Sequence, residues 1–168
     1  DNSIILFTSD HGDELCDHHM WRKARPYEGS CHIPMIITAG KDVLPEIVPS
    51  SVCRDLVELR DVMPTLLDIA GAEIPDRVDG HSLLPLVSDP ERSLRNWLHG
   101  EHAFSEFSNH WIVTRYDKYI WHSSSGKEQY FNLKDDPHEL NDLINDPLCQ
   151  KRIDELRKHL INSLTGRP

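Results

Sequence analysis

Thr8-Ser9-Asp10-His11-Gly12-Asp13 follows directly on the apolar run Ile4-Ile5-Leu6-Phe7. A carboxylate, an imidazole and a glycine thus stand where a short strand ends. Open α/β sheets put ligand sites at the carboxyl ends of their strands. Asp and His are hard-to-borderline ligands for a divalent cation, and a neighbouring glycine lets the backbone turn sharply or approach a ligand. The next residues add His18, His19, Arg22, Lys23, Arg25 and Glu28. We read the stretch as half of an anion-processing metal site.

The elements that must position these groups are legible in part. Residues 3–9 predict a buried strand, and Asp10 to Ser30 predict a polar loop with one helical turn at most. Ile33-Pro34-Met35-Ile36-Ile37-Thr38 predicts a second buried strand, with Pro34 at its tolerant start. Asp61 to Gly71 predicts a short helix with Asp61 as N-cap, Pro64 in the first turn, Gly71 as stop, and an apolar face of Val62, Leu66, Ile69 and Ala70. Asp76 to Pro90 is loop-like. Trp111–Arg115 and Lys118–Trp121 predict a hairpin turning at Tyr116-Asp117, residues 129–133 a third strand, and Asp135-Asp136-Pro137 a turn. A last helix is expected from about Pro147 to Leu164, with Leu148, Ile153, Leu156, Leu160 and Leu164 on one face. The first half therefore predicts parallel α/β and the second an antiparallel sheet plus helix, divided at about residue 95.

Length and composition narrow the class. The 168 residues suit one domain with a small appendage, and 38% hydrophobic with 27% charged residues is ordinary for a globular protein. The net charge of −10 disfavours a nucleic-acid partner, which needs clustered Lys and Arg. No apolar run approaches membrane-spanning length, so no transmembrane segment is expected. The four cysteines, Cys16, Cys31, Cys53 and Cys149, form no CxxC pair and are read as small packed thiols. The chain opens at Asp1 without a Met and is expected to be a fragment. Its compartment would follow the parent: periplasmic or secreted with a signal peptide, otherwise cytoplasmic.

Four segments in order resemble the carboxyl-terminal part of type I sulfatases, of the alkaline phosphatase superfamily. The first runs from Ser9-Asp10-His11-Gly12-Asp13-Glu14-Leu15 through Asp17-His18-His19, Trp21-Arg22-Lys23 and Pro26-Tyr27-Glu28-Gly29-Ser30 to Ile33-Pro34. Asp61–Gly71 is similar to the family's D-x-x-P-T-L-L-D-x-A-G helix. Asp79-Gly80-His81-Ser82-Leu83-Leu84-Pro85-Leu86 is similar to its D-G-x-S-L-x-P-L segment. Tyr130 to Leu143 is similar to its L-Y-D-L-x-x-D-P-x-E-x-x-N-L ending. The resemblance implies residues 1–95 as the tail of a doubly wound α/β sheet and 96–168 as a small antiparallel sheet with a C-terminal helix. It implies Asp10 and His11 as ligands of a divalent metal, calcium first, and Lys23 on the sulfate. His18, with His19 beside it, is implied near the sulfate or leaving group. A metal and a lysine aimed at non-bridging oxygens stabilise the charge that spreads there as the S–O bond breaks. A His titrating near neutrality can protonate the departing oxygen.

Family sulfatases attack sulfur with a formylglycine made from the Cys or Ser of C/S-x-P-x-R. None of the four cysteines here has Pro two residues on and Arg four on. The nucleophile and the family's Asp-Asp ligands are therefore expected in a missing N-terminal part, and the chain alone is expected to be inactive. The implied partner is a sulfated small molecule or glycan. Phosphonate and phosphate-ester hydrolases of the same superfamily share S-D-H-G-D and W-x-K, and a non-catalytic metal- or partner-binding module is a third reading. A truncated sheet leaves a bare strand edge, so self-association is expected. His99-Gly100-Glu101-His102 sets two imidazoles around a carboxylate, a pattern that zinc can use. We read it as a loop entering the second subdomain, with His102 at most touching substrate. Trp97, Trp111 and Trp121 are read as packing, and Arg22, Arg25 and Glu28 as a salt-linked scaffold.

Overall fold

Continuous apolar runs give β1 (Ile4–Thr8) and β2 (Met35–Ala39), which the computed structural model pairs antiparallel, Ile4 opposite Ala39 and Thr8 opposite Met35. The structure describes residues 2–103, 105 and 108–166. The expectation of parallel, fully buried strands is corrected here for this pair. Every second residue is exposed, and Ile5, Phe7 and Ile36 share one open face. An apolar run shows that a strand can be buried on both faces; it does not show which neighbours the chain supplies.

The chain divides into two compact bodies, and they interleave along the sequence. The segment up to Asp10 belongs with Pro34–Asn96, and His11–Ile33, which carries the one-turn helix α1 (Glu28–Cys31), belongs with the segment from Trp97 on.

In the first body, α2 (Val62–Ile69) follows a 3-10 turn at Leu59–Asp61, and α3 (Leu84–Ser88) lies where a loop was expected. Asp61 does not cap α2 with its side chain as expected. It is fully buried and collects four donors instead. The backbone N–H groups of Glu58 and His81 donate to it at 2.9 and 2.8 Å, and the Arg95 guanidinium in a fork at 2.7 and 2.6 Å. Gly80 is required by a close approach, since a Cβ there would lie 2.0 Å from the Arg60 carbonyl oxygen. The expected apolar face of α2 is only partly used: Pro64 and Thr65 are buried while Leu66 is half exposed. Thr65 locks the helix by donating to Asp61 O at 2.6 Å and accepting from Leu83 N at 2.9 Å.

The second body is a four-stranded antiparallel meander, β3 (Leu98–His102), β4 (Asn109–Val113), β5 (Asp117–His122) and β6 (Lys127–Asn132), in sequence order. The loop expected at residues 99–102 is thus strand β3. α4 (Gln150–Thr165) covers one face, where Ile112, Tyr119 and Tyr130 meet Ile153, Leu156 and Leu160. Leu148 precedes α4 and is exposed, so it drops out of the expected stripe. On the other face Ile120 and Phe131 pack with Tyr27, flanked by Met20, Trp111 and Leu133. Strand alternation puts these two sets on opposite sides of one sheet. Trp97 and Trp121 join the first cluster and Trp111 the second, in line with the packing role expected of them.

Candidate active-site segment

The residues singled out by type lie on a stretch whose backbone is held in an unusual shape. Leu15, Cys16, His18, His19 and Arg22 all have positive φ, between 44° and 84°. Non-glycine residues in this region are strained, and such strain persists only where surrounding contacts over-determine it. The contacts are visible. Asp13 Oδ1 accepts from the N–H groups of Leu15 and Arg22, at 3.2 and 3.1 Å. Glu14 N donates to Arg22 O at 3.0 Å, and Gly12 N to Ser30 O at 2.8 Å. A Cβ on Gly12 would lie 2.1 Å from Gly29 O. The glycine of the motif therefore serves a backbone-to-backbone approach.

Lys23 is exposed, and the buried Ser30 hydroxyl donates to its carbonyl at 2.9 Å, which pins the base of its side chain. Its ammonium hydrogen-bonds His11 Nε2. His11 Nδ1 lies 2.8 Å from Gly12 O. A carbonyl only accepts, so Nδ1 carries the hydrogen and Nε2 presents its lone pair. That is the tautomer a metal ligand needs, and the Lys23 ammonium holds the lone pair here, so a cation on Nε2 would take the ammonium's place. The His11 imidazole therefore has the donor chemistry that a divalent cation takes. Asp10 closes β1's body as an exposed carboxylate, and His11 opens the next.

His18 and His19 differ in placement. The His18 ring stacks on Tyr27, centroids 4.0 Å apart and planes 13° apart, while His19 is exposed. Tyr27 is itself fixed: its hydroxyl donates to Gln129 Oε1 at 2.9 Å, and His122 Nε2 meets the same oxygen at 2.8 Å. His102 ends β3 opposite Asn109, on the sheet face that Tyr27 covers.

Beneath the segment lies a charged cluster that sequence reasoning did not find. Lys118 is fully buried, and its ammonium meets Glu28 Oε1 at 2.6 Å, Glu139 Oε1 at 2.8 Å and Pro26 O at 2.9 Å. Burial alone would lower its pKa, but Glu139 and Glu28 outweigh it and hold the charged form. Glu139, at φ 55°, also accepts from Glu28 N at 2.6 Å. Burial pushes the Glu28 carboxyl up, yet the His32 hydrogen bond and Lys118 prevail and bring it to about 2. The scaffold role expected of Glu28 is the one seen. Glu14 is 1% exposed, and neither carboxylate oxygen has a hydrogen-bond partner among the described residues. Burial first, then the Glu139 charge, push its pKa to about 7, against the pull of Lys118. Glu14, Glu28 and Glu139 each stand in a family-like segment of the sequence, and Glu28 alone is read there as scaffold. Nothing local marks Lys118.

One stretch spells S-x-P-x-R in serine form: Ser88-Asp89-Pro90-Glu91-Arg92. Ser88 is the exposed last residue of α3, and its hydroxyl donates to the carbonyls of Leu84 and Pro85 at 3.4 and 3.3 Å. We assign it no nucleophilic role, because the structure makes it a helix-end surface turn.

A profile described as N-sulphoglucosamine sulphohydrolase, C-terminal, matches residues 16–165. An arylsulfatase of Clostridium perfringens is 49% identical over 166 residues, covering 99% of this chain and 34% of its own length. Arylsulfatase K of Canis lupus familiaris is 36% identical over 174 residues, covering 96% and 31%. A solved structure, BT4656 with its substrate D-glucosamine-2-N,6-O-disulfate, superposes with a TM-score of 0.83 at 25% identity, covering 98% and 34%. The chain belongs to this sulfatase family, as a C-terminal portion within the alkaline phosphatase superfamily. It spans about a third of the length of the curated relatives it matches.

Proposed function

We propose that this chain supplies the sulfate-holding residues and part of the metal-holding set of a sulfate ester hydrolase. The observation that carries the reading is the Lys23–His11 pairing, which ties an ammonium to an imidazole whose Nδ1 is fixed as the donor. Asp10 and His11 would hold a divalent metal, calcium first. When bound, that metal supplies fixed positive charge to the non-bridging sulfate oxygens. Lys23 places its ammonium on the same oxygens as their charge grows. His18, posed against Tyr27, protonates the leaving oxygen, with exposed His19 as its neighbour. His102 contacts the remainder of the substrate from the sheet. The nucleophile, a formylglycine, lies outside these residues, so the 168-residue chain alone turns nothing over.

The substrate class is a sulfated small molecule or glycan. The disulfated glucosamine held by the solved relative supports that class. The test is turnover of an aryl sulfate against an aryl phosphate diester by the protein that contains this chain. Lys23→Ala should lower kcat/KM for the sulfate by about 10²–10³, the usual worth of one donor to a developing oxyanion. Faster turnover of the phosphate diester would assign the site to phosphoryl chemistry instead, and an unchanged kcat/KM in the variant would remove Lys23 from it.

A further inference from the structure

In sequence His99, Glu101 and His102 stand together, and the strand separates them. Side chains alternate along β3, so His99 and Glu101 share one face while His102 takes the other. On β4, His110 is the register partner of Glu101 and brings a third ligand to the same face. One ligand atom from each of His99, Glu101 and His110 lies within 4.8 Å of the other two. His110 Nδ1 is 3.5 Å from Glu101 Oε2. The His99 and His110 rings are nearly parallel, 18° apart with centroids 5.7 Å apart. Trp121, opposite His110 on β5, stacks on the His110 ring at 5.6 Å and holds it in place.

This face is the one covered by α4, not the one covered by Tyr27 and the strained segment. The trio therefore stands apart from the sulfate-holding residues. Its donor set also differs: two imidazoles and one carboxylate suit a borderline transition cation, whereas calcium takes six to eight oxygens. Around a four-coordinate zinc, ligands about 2.0–2.2 Å from the ion stand about 3.3 Å from one another, so side-chain shifts of about 1 Å would close the trio. β3 is the edge strand of the meander, with β4 its single neighbour among the described strands.

We propose that His99, Glu101 and His110 form a second metal site, taking a zinc-type divalent cation with one open position and clamping edge strand β3 to β4. The proposal does not depend on the sulfatase reading of Asp10, His11 and Lys23.

The test is titration of the metal-stripped chain with Co²⁺, followed by visible absorption, and with Zn²⁺ by calorimetry. One equivalent of Co²⁺ should develop the intense bands of a four-coordinate site, and Zn²⁺ should displace it and raise the Tm. His99→Gln and His110→Gln should each weaken binding at least tenfold, roughly what even an outer-shell partner is worth. Glu101→Gln, on a side chain 41% exposed, keeps the fold and should weaken binding as well. Asp10→Asn combined with His11→Gln should leave this affinity unchanged. Absent bands, thiolate charge-transfer bands that place the ion on a cysteine, or an affinity indifferent to all three substitutions in the trio would overturn the proposal.

Discussion

Each body of the molecule ties its loops to one buried charge, Asp61 in the first and Lys118 in the second, yet they treat apolar surface in opposite ways. The second body closes its sheet on both faces, with α4 on one side and Tyr27 with Met20 on the other. The first leaves Ile5, Phe7 and Ile36 between 53% and 59% exposed on a two-stranded ribbon. An isolated two-stranded ribbon is marginal in water, whereas a sheet of three or more strands with a covered face stands alone. The segment with the candidate catalytic residues belongs to the second body, and strained backbone there can be held because the underlying core is complete.

All four tryptophans, Trp21, Trp97, Trp111 and Trp121, lie in the second body, so tryptophan fluorescence reports on it alone while far-UV circular dichroism reports on both. The largest effect is expected for Lys118→Met. It leaves the buried Glu139 without its cation and takes the ammonium from the half-buried Glu28, and removing one member of a buried ion pair costs about 3–5 kcal/mol. The fluorescence-detected urea midpoint should fall accordingly. Asp61→Asn should cost about 2–3 kcal/mol through the stranded Arg95 fork and backbone donors, and should move the dichroism transition while sparing the fluorescence one. If both probes shift together in both variants, the two bodies unfold as one and the contrast between them fails.

A pH experiment sharpens the picture of the second body. Glu14 is protonated up to about pH 7 when folded, against an ordinary 4.5. Between those values the folded state holds a proton that the unfolded chain has lost, so stability falls as pH rises through that window and stays lower above it. Glu14→Gln should flatten this slope and raise stability at pH 8 by about 1–3 kcal/mol, with little change at pH 4. Equal urea-midpoint slopes in the two proteins would show that Glu14 does not titrate in that window.

The exposed ribbon gives a smaller effect on stability and a visible one on association. Self-association through the exposed edge of the ribbon is proposed, since a bare strand edge invites pairing. Phe7→Lys should shift sedimentation at high concentration toward monomer while changing stability by less than about 0.5 kcal/mol. A wild-type chain that sediments as a clean monomer would end that proposal. Smallest of all, Ser88→Ala removes only long, exposed hydrogen bonds and should change the urea midpoint by less than about 0.5 kcal/mol.

The sequence by itself placed β1, β2, β4, β5 and β6 to within a few residues, together with the last helix and the family, because each rests on local periodicity or on residue types in fixed order; it read β3 as a loop. It also pointed to Lys23 and His11 and to the packing tryptophans. It misjudged Leu148 and the exposed face of α2, because periodicity marks an apolar stripe without saying what covers it. Only the tertiary structure decided that residues 11–33 cross into the second body, that Asp61 serves Arg95 instead of capping, and that β1 and β2 run antiparallel. Only it joined Glu14, Glu28 and Glu139 around Lys118, and parted His102 from a trio completed by His110. These are contacts between residues far apart in sequence. They follow from strand register and from the energetic demand that a buried charge find a partner, and neither is written in any single stretch of residues.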